Sequence, residues 1–229
     1  MSKVVITQSN YIPWKGYFSN LRGVTHYVFY DEVQYTKRDW RNRNMLITPN
    51  GPKWLTIPVE VKGKYHQKIS DTKISDSNWG IKHWNFIESN YSKAPFFNEY
   101  KDYFQPLYET KSKFLSEINL EFIRKILILL DIDVKIINSA DFELKGDKTE
   151  KLFNICKELN AIEYHSAPAA KNYMNVELFE SNNIEVKWYN YSDFPEYKQL
   201  WDDFSHTVSI LDMFFNLGNK TKEYLNGEK

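Results

Sequence analysis

The chain reads as one α/β domain built on a mostly parallel, Rossmann-like sheet, and three observations lead there. Residues 3–7 form a short, β-branched apolar run, the signature of a strand covered on both faces. A turn-rich stretch carrying Pro13 follows, then a short helical segment at 16–21 and a second apolar run at 26–30. Strand, loop, helix and strand within about thirty residues is the spacing of a parallel βαβ unit. Helical and strand-like patterns then alternate to the C-terminus without a linker or low-complexity break, so one domain spanning 1–229 is the economical reading.

The remaining elements follow from pattern. Residues 54–61 alternate and are rich in β-formers, with Pro58 marking an edge position. Aromatic and charged residues recur at mixed spacing over 78–107, where Pro95 and Pro106 interrupt. That stretch is expected to be two short helices forming an aromatic insertion or lid. The clearest helix is 118–130, with Ile123, Ile126, Leu127 and Leu130 on one stripe. A strand at 134–137 comes next, then an amphipathic helix at 148–159 that buries Leu152, Ile155, Cys156 and Leu159. A strand at 162–165, a helix at 176–181, a strand at 184–189 and a helix at 209–216 close the chain.

Composition excludes several functions. Thirty basic and thirty acidic residues give zero formal net charge, so the basic footprint of a general nucleic-acid binder is missing. One cysteine permits neither an intrachain disulfide nor a cysteine-based metal site, which fits the reducing cytoplasm. No signal peptide is read at the N-terminus, and the longest apolar run, 126–130, is too short to span a bilayer. His26, His66, His83, His165 and His206 are scattered without metal-ligand spacing, so no metal is expected. Aromatic residues make up 17% of the chain, including sixteen tyrosines and seven tryptophans. Many sit beside Gln, Asn, Arg and Lys, which suits a core but also a pocket that stacks and hydrogen-bonds a ligand.

Two segments concentrate chemistry near the start. QSNYIPWKGYF (8–18) follows the first strand at the carboxyl edge of the sheet, where open α/β folds bind ligands; Gln8, Asn10, Tyr11, Trp14 and Tyr17 are its candidate binding residues. DEVQYTKRDWRNRN (31–44) follows the second strand and is expected to project from the same edge. There Arg41 and Arg43 could grip phosphates in bidentate fashion, Asp31 and Asp39 could hold those arginines or a sugar hydroxyl, and Gln34, Tyr35, Trp40 and Asn42 complete the set. His83 and His165 are the candidate general bases, because imidazole titrates near neutrality. Tyr91 and Lys93 lie close to His83 in sequence. Ser166 adjoins His165, but neighbours on a strand face opposite ways, and no third triad member is evident. Cys156 is read as a buried hydrophobe. Asp212, set in an apolar helix, requires a partner and is read mainly as structural.

Those two segments, together with WLTIPV (54–59), KHW (82–84), NYSKAPFF (90–97), YHSAPAAKNYM (164–174) and VSILDMFFNLG (208–218), resemble the WbqC-like family in the same order over nearly the whole chain. The first two blocks are specific. Lys171, in the YHSAPAAKNYM block, joins the candidate binding residues. The resemblance implies a setting in O-antigen and other surface-polysaccharide gene clusters, beside enzymes that make nucleotide-linked amino sugars, and so a role in amide formation on such a sugar. In one departure, Ala167-Pro168-Ala169-Ala170 stands where relatives often carry a glycine-containing loop, which argues against a phosphate-cradling backbone there. A second, weaker similarity is to the nucleotidyltransferase-type Rossmann fold. That fold carries a His-x-Gly-His loop; here Gly16 is kept, but Trp14 and Tyr17 replace the histidines. The replacement argues against adenylyl transfer but not against nucleotide binding in the same crevice.

Three functions are consistent with these residues. The first is an N-acyltransferase, or an aminoacyltransferase, acting on a nucleotide-linked amino-deoxy sugar. Its donor would be an acyl thioester of coenzyme A or of an acyl- or aminoacyl-carrier protein. The second is an ATP-dependent, adenylate-forming ligase, and the third is a non-catalytic ligand-binding or carrier-docking module. A homodimer is a further expectation.

Overall fold

The computed structural model describes residues 1–201 and 204–226. In chain order its elements are β1 (Ser2–Thr7), α1 (Lys15–Ser19), β2 (His26–Phe29), β3 (Arg43–Leu46), β4 (Lys53–Thr56), α2 (Trp79–Tyr91), α3 (Phe97–Phe104), α4 (Leu115–Leu129), β5 (Lys135–Asn138), α5 (Lys148–Glu158), β6 (Ala161–Ser166), α6 (Val176–Glu180), β7 (Glu185–Trp188), α7 (Ile210–Leu217) and α8 (Thr221–Asn226). Five of the strands form one sheet in the order β5-β2-β1-β6-β7, and every pairing in it is parallel.

This order places the site. From β1 the chain moves outward through β2 to β5, then returns to lay β6 against the other side of β1. The direction of winding reverses between β1 and β6. In open parallel sheets such a reversal leaves a crevice at the carboxyl ends of the two strands.

Alternation along the strands divides the core in two. Val5, Tyr27 and Phe29 face a large cluster completed by α1, α2, α3, α4 and α7. Val4, Ile6 and Val28, one residue out of step, face a smaller cluster built by α5, Tyr164, Phe179 and Ile184. Both faces of the central strands are thus covered, which is why their sequences read as unbroken apolar runs.

Helix ends follow local chemistry. Asp147 caps α5 by accepting from the Glu150 N–H, while the Glu150 carboxylate accepts from the Asp147 N–H, a reciprocal pairing that satisfies two free donors. Asp131, at φ 53°, ends α4. Its N–H donates to the Ile128 carbonyl and that of Ile132 to Leu127, the paired closing bonds of a left-handed terminus.

The structure departs from the sequence expectations in three places. Arg43–Leu46 is a strand and not part of a projecting loop. It pairs antiparallel with Lys53–Thr56, outside the main sheet, and the strand expected over 54–61 is correspondingly short. Helix α4 begins at Leu115, and α8 was not anticipated. The aromatic stretch 78–107 does form two helices, and most of its rings are core. Trp79, Trp84, Tyr91, Phe97 and Phe104 are buried, with Trp84 stacked on Phe97 at 5.9 Å between centroids. Among the described residues no helix is long and apolar enough to cross a membrane.

Candidate functional site

A cleft of about 780 Å³ opens at the carboxyl ends of β1 and β6. Its floor is Val5, Ile6 and Thr7 of β1 with Tyr164, His165 and Ser166 of β6. One end is aromatic: Trp14 and Tyr17 from the first loop and helix meet Tyr189 and Tyr191, which follow β7. Trp14 lies 5.2 Å from Tyr191, and Tyr191 lies 6.1 Å from Tyr189. The other end is formed by Lys148, Lys151 and Leu152 of α5 with Tyr173, while Glu32 and Gln34 line a rim after β2.

The loop leaving β1 is rigidly held. Ile12 sits at φ 37°, a costly conformation for a β-branched residue that persists only where neighbours enforce it. The neighbours come from the charged 31–44 segment. Buried Asp31 accepts from the Ser9 N–H (2.8 Å), the Ser9 hydroxyl (2.7 Å) and the Ser116 hydroxyl (2.8 Å). Arg41 donates to the Ser9 carbonyl at 3.1 Å, and the Asn44 amide donates to the Ile12 carbonyl at 2.8 Å. The Trp40 carbonyl accepts from the Tyr11 N–H at 3.1 Å. Burial raises the Asp31 pKa, against the lowering effect of the Ser9 and Ser116 hydrogen bonds. The second segment is therefore brought to the first, largely as its clamp.

The sequence-derived candidates separate accordingly. Gln8, Asn10, Trp14, Tyr17, Gln34 and His165 line the cleft. Tyr11, Asp31, Arg41 and Asn42 support it from behind: Tyr11 is fully buried, and the Asn42 amide donates to the Ile57 carbonyl at 2.8 Å. Asp39, Trp40 and Arg43 lie outside. The Arg43 guanidinium rests 4.1 Å from the Trp54 ring centroid and donates to the Arg38 carbonyl, while Asp39 is 3.6 Å from the Arg41 Nε. Tyr35 lines a second pocket of about 430 Å³ that shares Gln34 with the cleft. Lys171 lies over the Trp188 ring at 5.3 Å and is not among the cleft-lining residues. Both arginines thus donate to backbone carbonyls, and Arg43 also lies over an indole.

The two histidines differ sharply. His83 is buried, accepts from the Tyr11 hydroxyl at Nδ1 (2.8 Å) and donates from Nε2 to the Thr56 carbonyl (3.2 Å). Both ring nitrogens are occupied, and burial lowers its pKa to about 4. His165 faces the cleft. Its Nε2 donates to the Glu163 carboxylate at 2.8 Å, and Glu163 also meets Lys3 at 3.0 Å. Those contacts, the His165 hydrogen bond first, hold Glu163 below the usual carboxylate range. With Nε2 carrying the proton, Nδ1 is the acceptor, and it has no hydrogen-bond partner among the described residues.

Further features prepare the cleft for a polar ligand. Asn10 presents a buried Oδ1 without a partner among the described residues. Burial raises the pKa of Tyr189 and Tyr191, so both hydroxyls stay neutral; that of Tyr189 donates to the His165 carbonyl at 3.2 Å, and that of Tyr191 accepts from the Asn20 amide at 2.8 Å. Gly16 is covered by the Trp14 indole, which passes within 2.3 Å of where a Cβ would stand. Sequence reasoning missed Tyr30, Glu32, Lys148, Lys151, Tyr189 and Tyr191. One signal could have found most of them: they lie just after a strand, or in the first turn of a helix, at the edge where β1 ends.

A protein of Mycobacterium tuberculosis (strain ATCC 25618 / H37Rv), described as "Uncharacterized protein Rv1507c", is 45% identical over 226 residues, covering 98% of each chain. No solved structure matches. The sequence model of the WbqC-like protein family matches residues 8–224, nearly the whole length, and the chain belongs to that family.

Proposed function

We propose that this chain is an N-acyltransferase whose acceptor is a nucleotide-linked amino-deoxy sugar and whose donor is an acyl thioester. The observation that carries the reading is His165, held by Glu163 as the Nε2–H tautomer at the floor of a cleft large enough for a sugar nucleotide. An amino sugar arrives as an ammonium and must lose a proton before it can attack. His165 Nδ1 takes that proton; the amine then forms the C–N bond as the C–S bond breaks, the nitrogen's second proton passes to the departing thiolate, and His165 returns its proton to solvent. Glu163 stabilises the imidazolium formed in the first step. No protein nucleophile is required, because a thioester is already activated and positioning provides much of the catalysis. Placement of the β1–β6 crevice, the aromatic wall and the neutral tyrosine hydroxyls all favour a sugar carried on a nucleotide.

The test is a transfer assay over a panel of amino-sugar nucleotides and acyl thioesters, reading thiol release and amide mass. His165→Gln is expected to cut turnover by about a hundredfold or more, and an unchanged rate would remove His165 as the base. A second reading, ATP-dependent ligation through an adenylate, draws on the strand order, which suits nucleotide binding at the β1–β6 crevice. It requires AMP and pyrophosphate to appear with product. Turnover without them eliminates it.

A further inference from the structure

The cleft contains a charge imbalance that the residues around it do not correct. Four of its lining side chains can carry charge: Glu32, Lys148, Lys151 and His165. Glu32 is already paired, accepting from Lys68 at 2.7 Å. Neither Lys148 nor Lys151 has a carboxylate partner among the described residues. The two lysines lie three residues apart on α5, so they project from one face of the helix toward the same wall. Lys148 is exposed, and its ammonium lies 5.7 Å from the ring centroid of Tyr173, which also lines the cleft. Asp147 and Glu150 use their carboxylates in the reciprocal cap of α5 and leave both lysines uncompensated.

Resting on the acyltransfer reading, we infer that the diphosphate of the sugar nucleotide lies on Lys148 and Lys151. The amino sugar then points to the Trp14, Tyr189 and Tyr191 wall, and the nucleoside to Tyr30 and Tyr173. Two constraints fix this direction. The amine must reach His165, which packs against Tyr189 at the aromatic end with ring centroids 6.2 Å apart. A sugar nucleotide anchored by its amine at His165 runs its anomeric phosphate along the cleft toward Lys148 and Lys151, and away from Arg41 and Arg43, which do not line the cleft. Between the two ends, Ala167, Ala169 and Ala170 line the wall with small side chains. Their methyl groups leave the lysines as the chief anion-binding groups there. A sugar presents alternating C–H faces to the aromatic wall and hydroxyls to its tyrosines and to Asn10, whose buried Oδ1 has no partner among the described residues.

The test needs no donor. Binding of UDP, dTDP and GDP, of the matching nucleosides, and of inorganic pyrophosphate is measured by calorimetry on the full chain at low and high salt. At least one nucleoside diphosphate is expected to bind, more tightly than its nucleoside and more weakly as salt rises. Lys148→Gln with Lys151→Gln should weaken that binding by about tenfold or more. Lys171→Gln, which removes an equal type of charge beside the cleft, should leave it within about twofold. Thermal melts of each variant show whether a loss reflects unfolding, and the single substitutions serve if the double variant does not fold. No binding by any nucleoside diphosphate, equal affinity for the nucleoside, or equal loss with Lys171→Gln would overturn the inference. Amide formation with affinity indifferent to Lys148 and Lys151 would sink the inference alone. Lysine-dependent diphosphate binding without amide formation from any thioester would uphold it and remove the transfer reading.

Discussion

Replacing Lys15 with methionine removes a buried cation while keeping an unbranched side chain of similar reach. Lys15 is 3% exposed; its ammonium lies 2.6 Å from His206 Nδ1 and 5.2, 5.4 and 5.6 Å from the ring centroids of Phe194, Tyr197 and Phe204. Burial lowers its pKa from 10.5 to about 8, against the opposing charges of Asp212 and Glu196. At about 1.4 kcal/mol per pH unit, that fall corresponds to about 3 kcal/mol of destabilisation when the lysine is charged in both states. Three ring contacts beyond 5 Å return about 0.5 kcal/mol each, which is too little to cancel it. Lys15→Met is therefore expected to stabilise the fold by about 1–2 kcal/mol at pH 7. Between pH 8 and 10.5 the unfolded chain holds a proton at Lys15 that the folded chain has lost, so wild-type stability gains from this group as pH rises. The methionine variant lacks that gain, and its advantage should shrink steadily across the window. Urea unfolding of both proteins at several pH values measures the difference, in which tyrosine ionisation largely cancels. A variant less stable than wild type at pH 7, or an advantage that persists to high pH, would show that burial does not penalise this cation.

Two glycines should respond to different degrees. A Cβ at Gly80 would stand 1.8 Å from the Tyr108 carbonyl oxygen, which is backbone and cannot yield, so Gly80→Ala should cost about 3 kcal/mol or more in urea unfolding. At Gly16 the obstacle is the Trp14 ring. Gly16→Ala should therefore cost less stability, while shifting tryptophan fluorescence and weakening ligand binding in the cleft. His83, with its pKa lowered to about 4 by burial, is neutral in the folded chain where the unfolded chain takes a proton. Its contribution is complete above about pH 6.5 and is lost as pH falls toward 4, up to about 3 kcal/mol. His83→Gln should flatten the acid side of a melting-temperature profile across that window.

Much of the fold was legible because covered parallel strands announce themselves as apolar runs. Val4, Val5 and Ile6 face two different clusters, so no polar position interrupts the pattern. Helix α5 was equally plain, since Leu152, Ile155 and Cys156 repeat at helical spacing and are buried. Strand β3 was hidden by its composition: Arg43 and Asn44 read as loop residues, yet Asn44 is buried because its amide secures the carbonyls of Tyr11 and Ile12. The same confusion made Asp31 and Arg41 look like ligand groups. A charge run projecting into solvent and one folded back to clamp a strained loop have the same sequence, and only the tertiary partners of Asp31 separate them. The cleft was half legible. Residues after β1 could be placed at the ligand edge by the topology rule, but Tyr189, Tyr191, Lys148 and Lys151 join them only once β6 is known to lie against β1.

In the proposed complex the β1–β6 cleft holds a sugar nucleotide with its amine at His165. A crystal structure with a nucleotide-linked amino sugar bound tests it most directly. Density is expected within the cleft, with the sugar nitrogen about 3 Å from His165 Nδ1. A ligand seated on the exposed Trp40 and Trp54 pair or in the pocket around Tyr65, or one in the cleft whose amine cannot reach His165, would contradict it.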